Sequence, residues 1–148
     1  LQPRLTAWYG DPGCAYRYSG LDMALLDWNP TLLRLRQRIE ALCGSPFNSV
    51  LLNYYRDGND SMGMHSDDEP ELGPQPVIAS LSLGATRPIQ FKHRTRRELA
   101  AFRLPLTSGS LLVMRGATQA NWKHGVAKQR RVTGPRVNLT FRRIVRTV

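Results

Sequence analysis

Apolar residues along this chain follow two spacings. Between Asn29 and Gly44 they recur every three or four positions, at Leu32, Leu35, Ile39 and Leu42, as on a helix with one buried stripe. Asn29-Pro30 is a sound helix start, because the amide can accept from free N–H groups of the first turn and proline's fixed φ suits it. Gly44 provides the stop, so a helix is predicted from Asn29-Pro30 to about Cys43. Arg34, Arg38 and Glu40 fall elsewhere around it and are expected in water.

The other spacing is that of strands. Leu5-Thr6-Ala7-Trp8-Tyr9 reads as a strand ended by the turn Gly10-Asp11-Pro12-Gly13, and a tyrosine-rich stretch, Tyr16-Arg17-Tyr18-Ser19-Gly20, follows. From Phe47 onward, strands are predicted at 49–55, 62–65, 77–83, 89–93, 101–104, 110–114, 120–124 and 137–145. Asp57-Gly58, Gly84, Ser108-Gly109 and Gly134-Pro135 supply turn chemistry between them. Many short strands beside one helix predict a mainly β, α+β chain built as a sandwich or jelly roll.

With 148 residues, the chain can bury a real core. No apolar run approaches the ~20 residues that span a bilayer, and no signal peptide is recognisable, so no membrane partner is expected. The first residue is Leu1 rather than Met, consistent with a piece of a longer protein. Cys14 and Cys43 form no disulfide framework, which suits a reduced intracellular compartment. Charge changes the picture more. Lys and Arg number 21 against 11 Asp and Glu, a formal +10 carried mostly by arginine. Such an excess favours polyanionic partners.

Candidate chemistry begins with His65-Ser66-Asp67. In an extended segment, residues two apart project from one face, so an imidazole and a carboxylate point together. His124 ends a later apolar-aromatic run, with several strands between to return the chain to the same mouth. Two histidines and one carboxylate leave open positions on a metal, which suits non-haem Fe(II) oxygenases, and zinc hydrolysis could use similar ligands. His93, in the basic stretch 92–97, reads as a surface residue. In the last strand, Arg136, Asn138, Thr140 and Arg142 alternate strictly with Val137, Leu139 and Phe141. The polar face is either in water or inside a barrel, where buried guanidiniums require an anion such as a dicarboxylate. Asn53 and Tyr55 share one strand face upstream of His65 and suit the same interior.

Together, Asn53-x-Tyr55, His65-x-Asp67-x-Glu69, His124 and Arg136-x-Asn138-x-Thr140-x-Arg142 resemble the AlkB family of Fe(II)/2-oxoglutarate-dependent nucleic-acid dealkylases. The likeness runs from Pro3-Arg4 to about Ile144. It implies a double-stranded β-helix (jelly roll) with a supporting helix and an N-terminal nucleotide-recognition lid. Residues 1–148 are then one dioxygenase domain, with lid and helix over 1–46 and the core over 47–148. The resemblance implies Fe(II) held by His65, Asp67 and His124 as the catalytic centre. It implies Arg136 on the distal carboxylate of 2-oxoglutarate with Asn53 and Tyr55 beside it. Thr140 belongs to the same set, and Asn138 and Arg142 lie nearer the metal.

The implied reaction uses O2 and 2-oxoglutarate to hydroxylate the N-alkyl carbon of bases such as 1-methyladenine and 3-methylcytosine. Formaldehyde and a repaired base result, in DNA and, as a further expectation, in RNA. The base must be flipped out of any duplex to reach the metal. Tyr18 is then expected to stack on it, His65 to flank its other face, Tyr16 and Ser19 to touch the backbone, and Glu69 to meet the base edge. A monomer is expected, cytoplasmic in a bacterium or nuclear in a eukaryote. Two other readings stay open: an oxygenase acting on a protein or small molecule, and a non-catalytic nucleic-acid-binding module.

Overall fold

In the computed structural model, residues 2–15, 17–18 and 21–145 are described. The strands are β1 (Leu5–Gly10), β2 (Arg17–Tyr18), β3 (Leu21–Asp22), β4 (Leu25–Leu26), β5 (Ser49–Tyr55), β6 (Met62–His65), β7 (Ile78–Gly84), β8 (Arg87–His93), β9 (Phe102–Leu106), β10 (Leu111–Met114), β11 (Trp122–Val126) and β12 (Arg136–Arg142). Two helices, α1 (Pro30–Cys43) and α2 (Thr118–Asn121), accompany them. A larger sheet runs β10-β7-β12-β5-β1-β4 and a smaller one β6-β11-β8-β9, while β2 and β3 form a separate hairpin. All pairs are antiparallel except β1 with β4. This is the predicted jelly roll. Among the described residues no helix is long and apolar enough to cross a membrane.

Strand alternation decides what faces what. Val50, Ala79, Leu139 and Phe141 pack with Leu32, Ile39 and Cys43 of α1, so the helix covers the outer face of the larger sheet. Residues of opposite parity turn inward, and Trp8, Leu51 and Ile78 meet Ile89, Phe91 and Leu106 of the smaller sheet. The polar side chains of β12, of the same inward parity, are therefore buried between the sheets.

The helix starts and stops where predicted. The Asn29 side chain accepts from the Leu32 N–H, and Gly44 takes φ 65°, in the left-handed region glycine enters without a Cβ penalty. Its stripe differs at one position: Leu42 is 74% exposed and Cys43 is buried in its place. At about 100° per residue, Cys43 falls in line with Leu32 and Ile39, whereas Leu42 turns aside. Glu40 is not merely solvated, since its carboxylate accepts the Phe47 N–H at 2.7 Å and ties the helix end to the first core strand.

The predicted strand at 120–124 is instead the turn α2 followed by β11. Local closure wins there, through Thr118 Oγ1 to the Arg115 carbonyl at 2.7 Å and Asn121 N–H to the Ala117 carbonyl at 3.1 Å. β4 was not legible, because two residues are too few to show a period.

Candidate active site

One row of paired positions crosses the smaller sheet: His65 opposite His124, His124 opposite Phe91, and Phe91 opposite Phe102. The two imidazole centroids lie 4.5 Å apart. Asp67, just beyond β6, reaches back between them. Its two carboxylate oxygens each lie 3.5 Å from an imidazole Nε2, Oδ1 from His65 and Oδ2 from His124. One donor atom from each of the three residues falls within 4.8 Å of the others, close enough to share a metal ion. The His65 Nδ1 lies 2.9 Å from the Gly63 carbonyl, so it carries the proton and leaves Nε2 with its lone pair.

Electrostatics suit that role. Burial alone would raise the Asp67 pKa, but the charge of Arg142 and the contacts of both histidines outweigh it and hold the carboxyl well below the usual range. Arg142 Nη2 donates to Asp67 Oδ1 at 3.2 Å. Burial pushes the His124 pKa down to about 4, so its ring is neutral near pH 7 and can donate to a metal. Burial acts the same way on His65, where Asp67 and the Gly63 carbonyl reverse it and the pKa is raised.

Arg136, Asn138, Thr140 and Arg142 share one pocket with Asn53, Tyr55, His65, Asp67 and His124. Non-protein space there is about 390 Å³, part of it open to solvent. Ser80 and Ser82 of β7 line up opposite Thr140 and Asn138, and both accept from Asn138 Nδ2, at 2.7 and 3.4 Å. Thr140 donates to Asn138 Oδ1 at 2.7 Å. Asn53 Oδ1 accepts from Arg4 Nε at 2.8 Å. Arg136 stands over the Tyr55 ring, with Cζ 4.9 Å from its centroid, and donates from Nη2 to Ser82 Oγ at 2.9 Å. Its Nε and Nη1 are buried without a partner.

Of the expected base-contact residues, Tyr16 and Ser19 lie outside the described residues. Tyr18 is described as backbone, paired with Leu21 in the hairpin. Glu69 is half-buried just before the 3-10 turn Pro70–Leu72. His93 is half-buried rather than fully exposed, and its Nδ1 accepts the N–H groups of Thr95 and Arg96 at 3.2 and 2.9 Å.

Three neighbours of the site were missed in the sequence, Arg4 on Asn53 being one. Gln119 is buried and its Oε1 accepts the Asp67 backbone N–H at 2.8 Å. Nothing in the pattern marks it, since it sits in the unforeseen turn. Arg87 is also buried, and a signal existed: it shares strand parity with Ile89 and Phe91, so a charge heads an inward apolar row.

Residues 2–142 match the 2OG-Fe(II) oxygenase superfamily. The chain is 45% identical to human DNA oxidative demethylase ALKBH2 over 98% of its own length and 58% of the relative's. It is 48% identical to human Alpha-ketoglutarate-dependent dioxygenase alkB homolog 3, over 97% of this chain and 52% of the relative. It thus spans little more than half the length of these relatives. Among solved structures, "The structure of OsALKBH1" superposes with TM-score 0.61 at 18% identity, over 93% of this chain and 77% of that one, a likeness of fold. The chain belongs to the 2OG-Fe(II) oxygenase superfamily and, within it, to the AlkB family. The cofactors of that superfamily, Fe(II) and 2-oxoglutarate with O2, fit what is present. Two imidazoles and a carboxylate suit Fe(II), and the unpaired buried N–H groups of Arg136 suit an incoming carboxylate.

Proposed function

We propose that this chain carries out oxidative demethylation of N-alkylated bases in nucleic acid, DNA foremost, with Fe(II) and 2-oxoglutarate. The observation that carries the reading is one pocket holding both the three-residue donor cluster and an arginine with unpaired buried N–H groups. The substrate class is supported by the names of the relatives, DNA oxidative demethylase among them.

His65, Asp67 and His124 hold the iron, with His124 neutral and Asp67 ionised at neutral pH. Arg142 offsets the remaining carboxylate charge and keeps Asp67 oriented. Arg136 donates its free N–H groups to the distal carboxylate of 2-oxoglutarate, with Tyr55 against its face and Asn53 beside it. Asn138 is held by Ser80 and Ser82 and in turn holds Thr140, and the two form the wall of the same pocket. Met62, Ile89, Leu106, Met114 and Val126 add an apolar part to its lining. When bound, iron with the cosubstrate and O2 supplies the oxidising power that hydroxylates the alkyl carbon. Tyr18 and His65 are assigned the faces of the flipped base and Glu69 its edge, where a carboxylate suits a cationic alkylated base. Tyr16 and Ser19 are assigned the adjoining backbone.

A polyanionic partner also suits a groove lined by Lys92, Arg94, Arg96, Arg97 and Lys123. Lys92 and Lys123 alternate with Phe91 and His124 along their strands, so they point outward from the sheet whose inner face carries the site.

The test is incubation with Fe(II), 2-oxoglutarate and an oligonucleotide carrying 1-methyladenine or 3-methylcytosine. Loss of a methyl mass with release of formaldehyde is expected. An unchanged oligonucleotide, with 2-oxoglutarate shown to bind, would overturn the reading.

A further inference from the structure

Like Arg136 and Arg142, Arg87 is sealed in the interior, 1% exposed. A guanidinium so placed is costly unless it is paired and fully hydrogen-bonded. Three backbone carbonyls answer part of that need. Nη2 donates to Asp60 and Ala127 at 2.8 and 2.7 Å, and Nη1 to Asp57 at 3.2 Å. Nε has no partner. Neither Arg87 nor Arg136 has an ion-paired carboxylate among the described residues.

The Arg87 guanidinium is also aimed at Tyr55, its Cζ 5.5 Å from the ring centroid, while that of Arg136 lies 4.9 Å from the same ring. The phenol is itself buried. Two guanidiniums therefore converge on one aromatic ring at the Arg136 end of the pocket, neither in direct contact with a carboxylate, although the charges of Asp60 and Asp57 act on Arg87 from further away. Carbonyl ligation alone would need no second charge there, and a neutral donor could bridge the same two loops.

We propose that Arg87 is a positioning residue for the cosubstrate: it fixes Tyr55 against Arg136 and adds a second charge that favours a dianionic over a monoanionic 2-oxoacid. It touches no cosubstrate itself, since it does not line the pocket and acts through Tyr55. The inference rests on the pocket being the 2-oxoglutarate site.

The test is anaerobic binding to the Mn(II)-loaded protein, for wild type, Arg87→Met and Arg87→Gln. 2-Oxoglutarate is compared with 2-oxobutyrate, which keeps the oxoacid end and lacks the distal carboxylate. Arg87→Met is expected to weaken 2-oxoglutarate by about tenfold or more, as when groups supporting a site's contacts are removed. Affinity for Mn(II) and for 2-oxobutyrate should change little, so the preference for the dicarboxylate falls. Loss of a merely structural staple would weaken both oxoacids alike, and that result overturns the proposal, as does an unchanged preference. Where Arg87→Met does not fold, Arg87→Gln gives the same reading, because it can still donate to a carbonyl without the charge. If wild type binds no 2-oxoglutarate, the reading of the pocket itself has failed; if it binds and the variants match it, only the role of Arg87 has.

Discussion

At the scale of single residues, the site is a set of buried charges that need one another. Asp67 accepts from Arg142 and from nothing comparable in water, since both are sealed in the interior. Asp67→Ala is expected to abolish metal binding and turnover together, and a metal titration that still saturated normally would contradict this. Gln119→Leu keeps the side-chain volume but strands the Asp67 N–H, and metal affinity should fall about ten- to a hundredfold, as for other groups that orient ligands. The check is the same titration, with the thermal midpoint of the metal-free protein as a control for folding. Arg136 and Asp67 were legible in the sequence because strict alternation and a two-residue spacing point side chains to one face. Gln119 was not, since its role comes from a turn that no periodicity announces. Arg4, which reaches Asn53 from far along the chain, was unannounced for the same reason.

At the scale of elements, β12 is the most informative strand, because one face packs on α1 and the other lines the pocket. Phe141 is fully buried on the helix side, and Phe141→Ala should destabilise the fold by about 3–5 kcal/mol, read from urea denaturation. Near the same pocket, the loop after β5 is held to the segment before β12. Gly58 donates to the Val132 carbonyl and accepts from Gln129, and a Cβ there would run into the Gln129 carbonyl oxygen. Asp60 in this loop accepts from the Arg56 backbone and guanidinium, at 2.8 Å for each of N and Nε. The Arg56 hydrogen bond lowers the Asp60 pKa against the opposing effect of burial. A carboxyl whose folded pKa lies below its unfolded value, about 3.9, stabilises the fold above that value and loses the effect as pH falls through the folded one. Asp60→Asn should therefore flatten the stability profile below about pH 4, and denaturation midpoints across that range will show it. The eight strands from β5 onward were foreseen as about eight short runs, with ends displaced by a few residues. Ends depend on partners across the sheet, which hydropathy does not encode.

At the scale of the whole molecule, part of the +10 charge is placed where it opposes folding. Lys92 and Lys123 are exposed and directly opposite each other on neighbouring strands. Like charges in that position are destabilising. A phosphate backbone lying in the adjoining groove would turn this repulsion into attraction, so the pair makes sense as a binding device held at some loss of stability. The two effects can be separated. Lys92→Gln with Lys123→Gln should raise the thermal midpoint slightly while weakening oligonucleotide binding. The slope of log affinity against log salt should become shallower by about 0.7 for each single-strand phosphate that is no longer neutralised. Binding of 2-oxoglutarate should stay unchanged, because both lysines point away from its pocket. A variant that gained stability but kept the wild-type salt slope would show that the groove is a solvated face and that nucleic acid enters elsewhere.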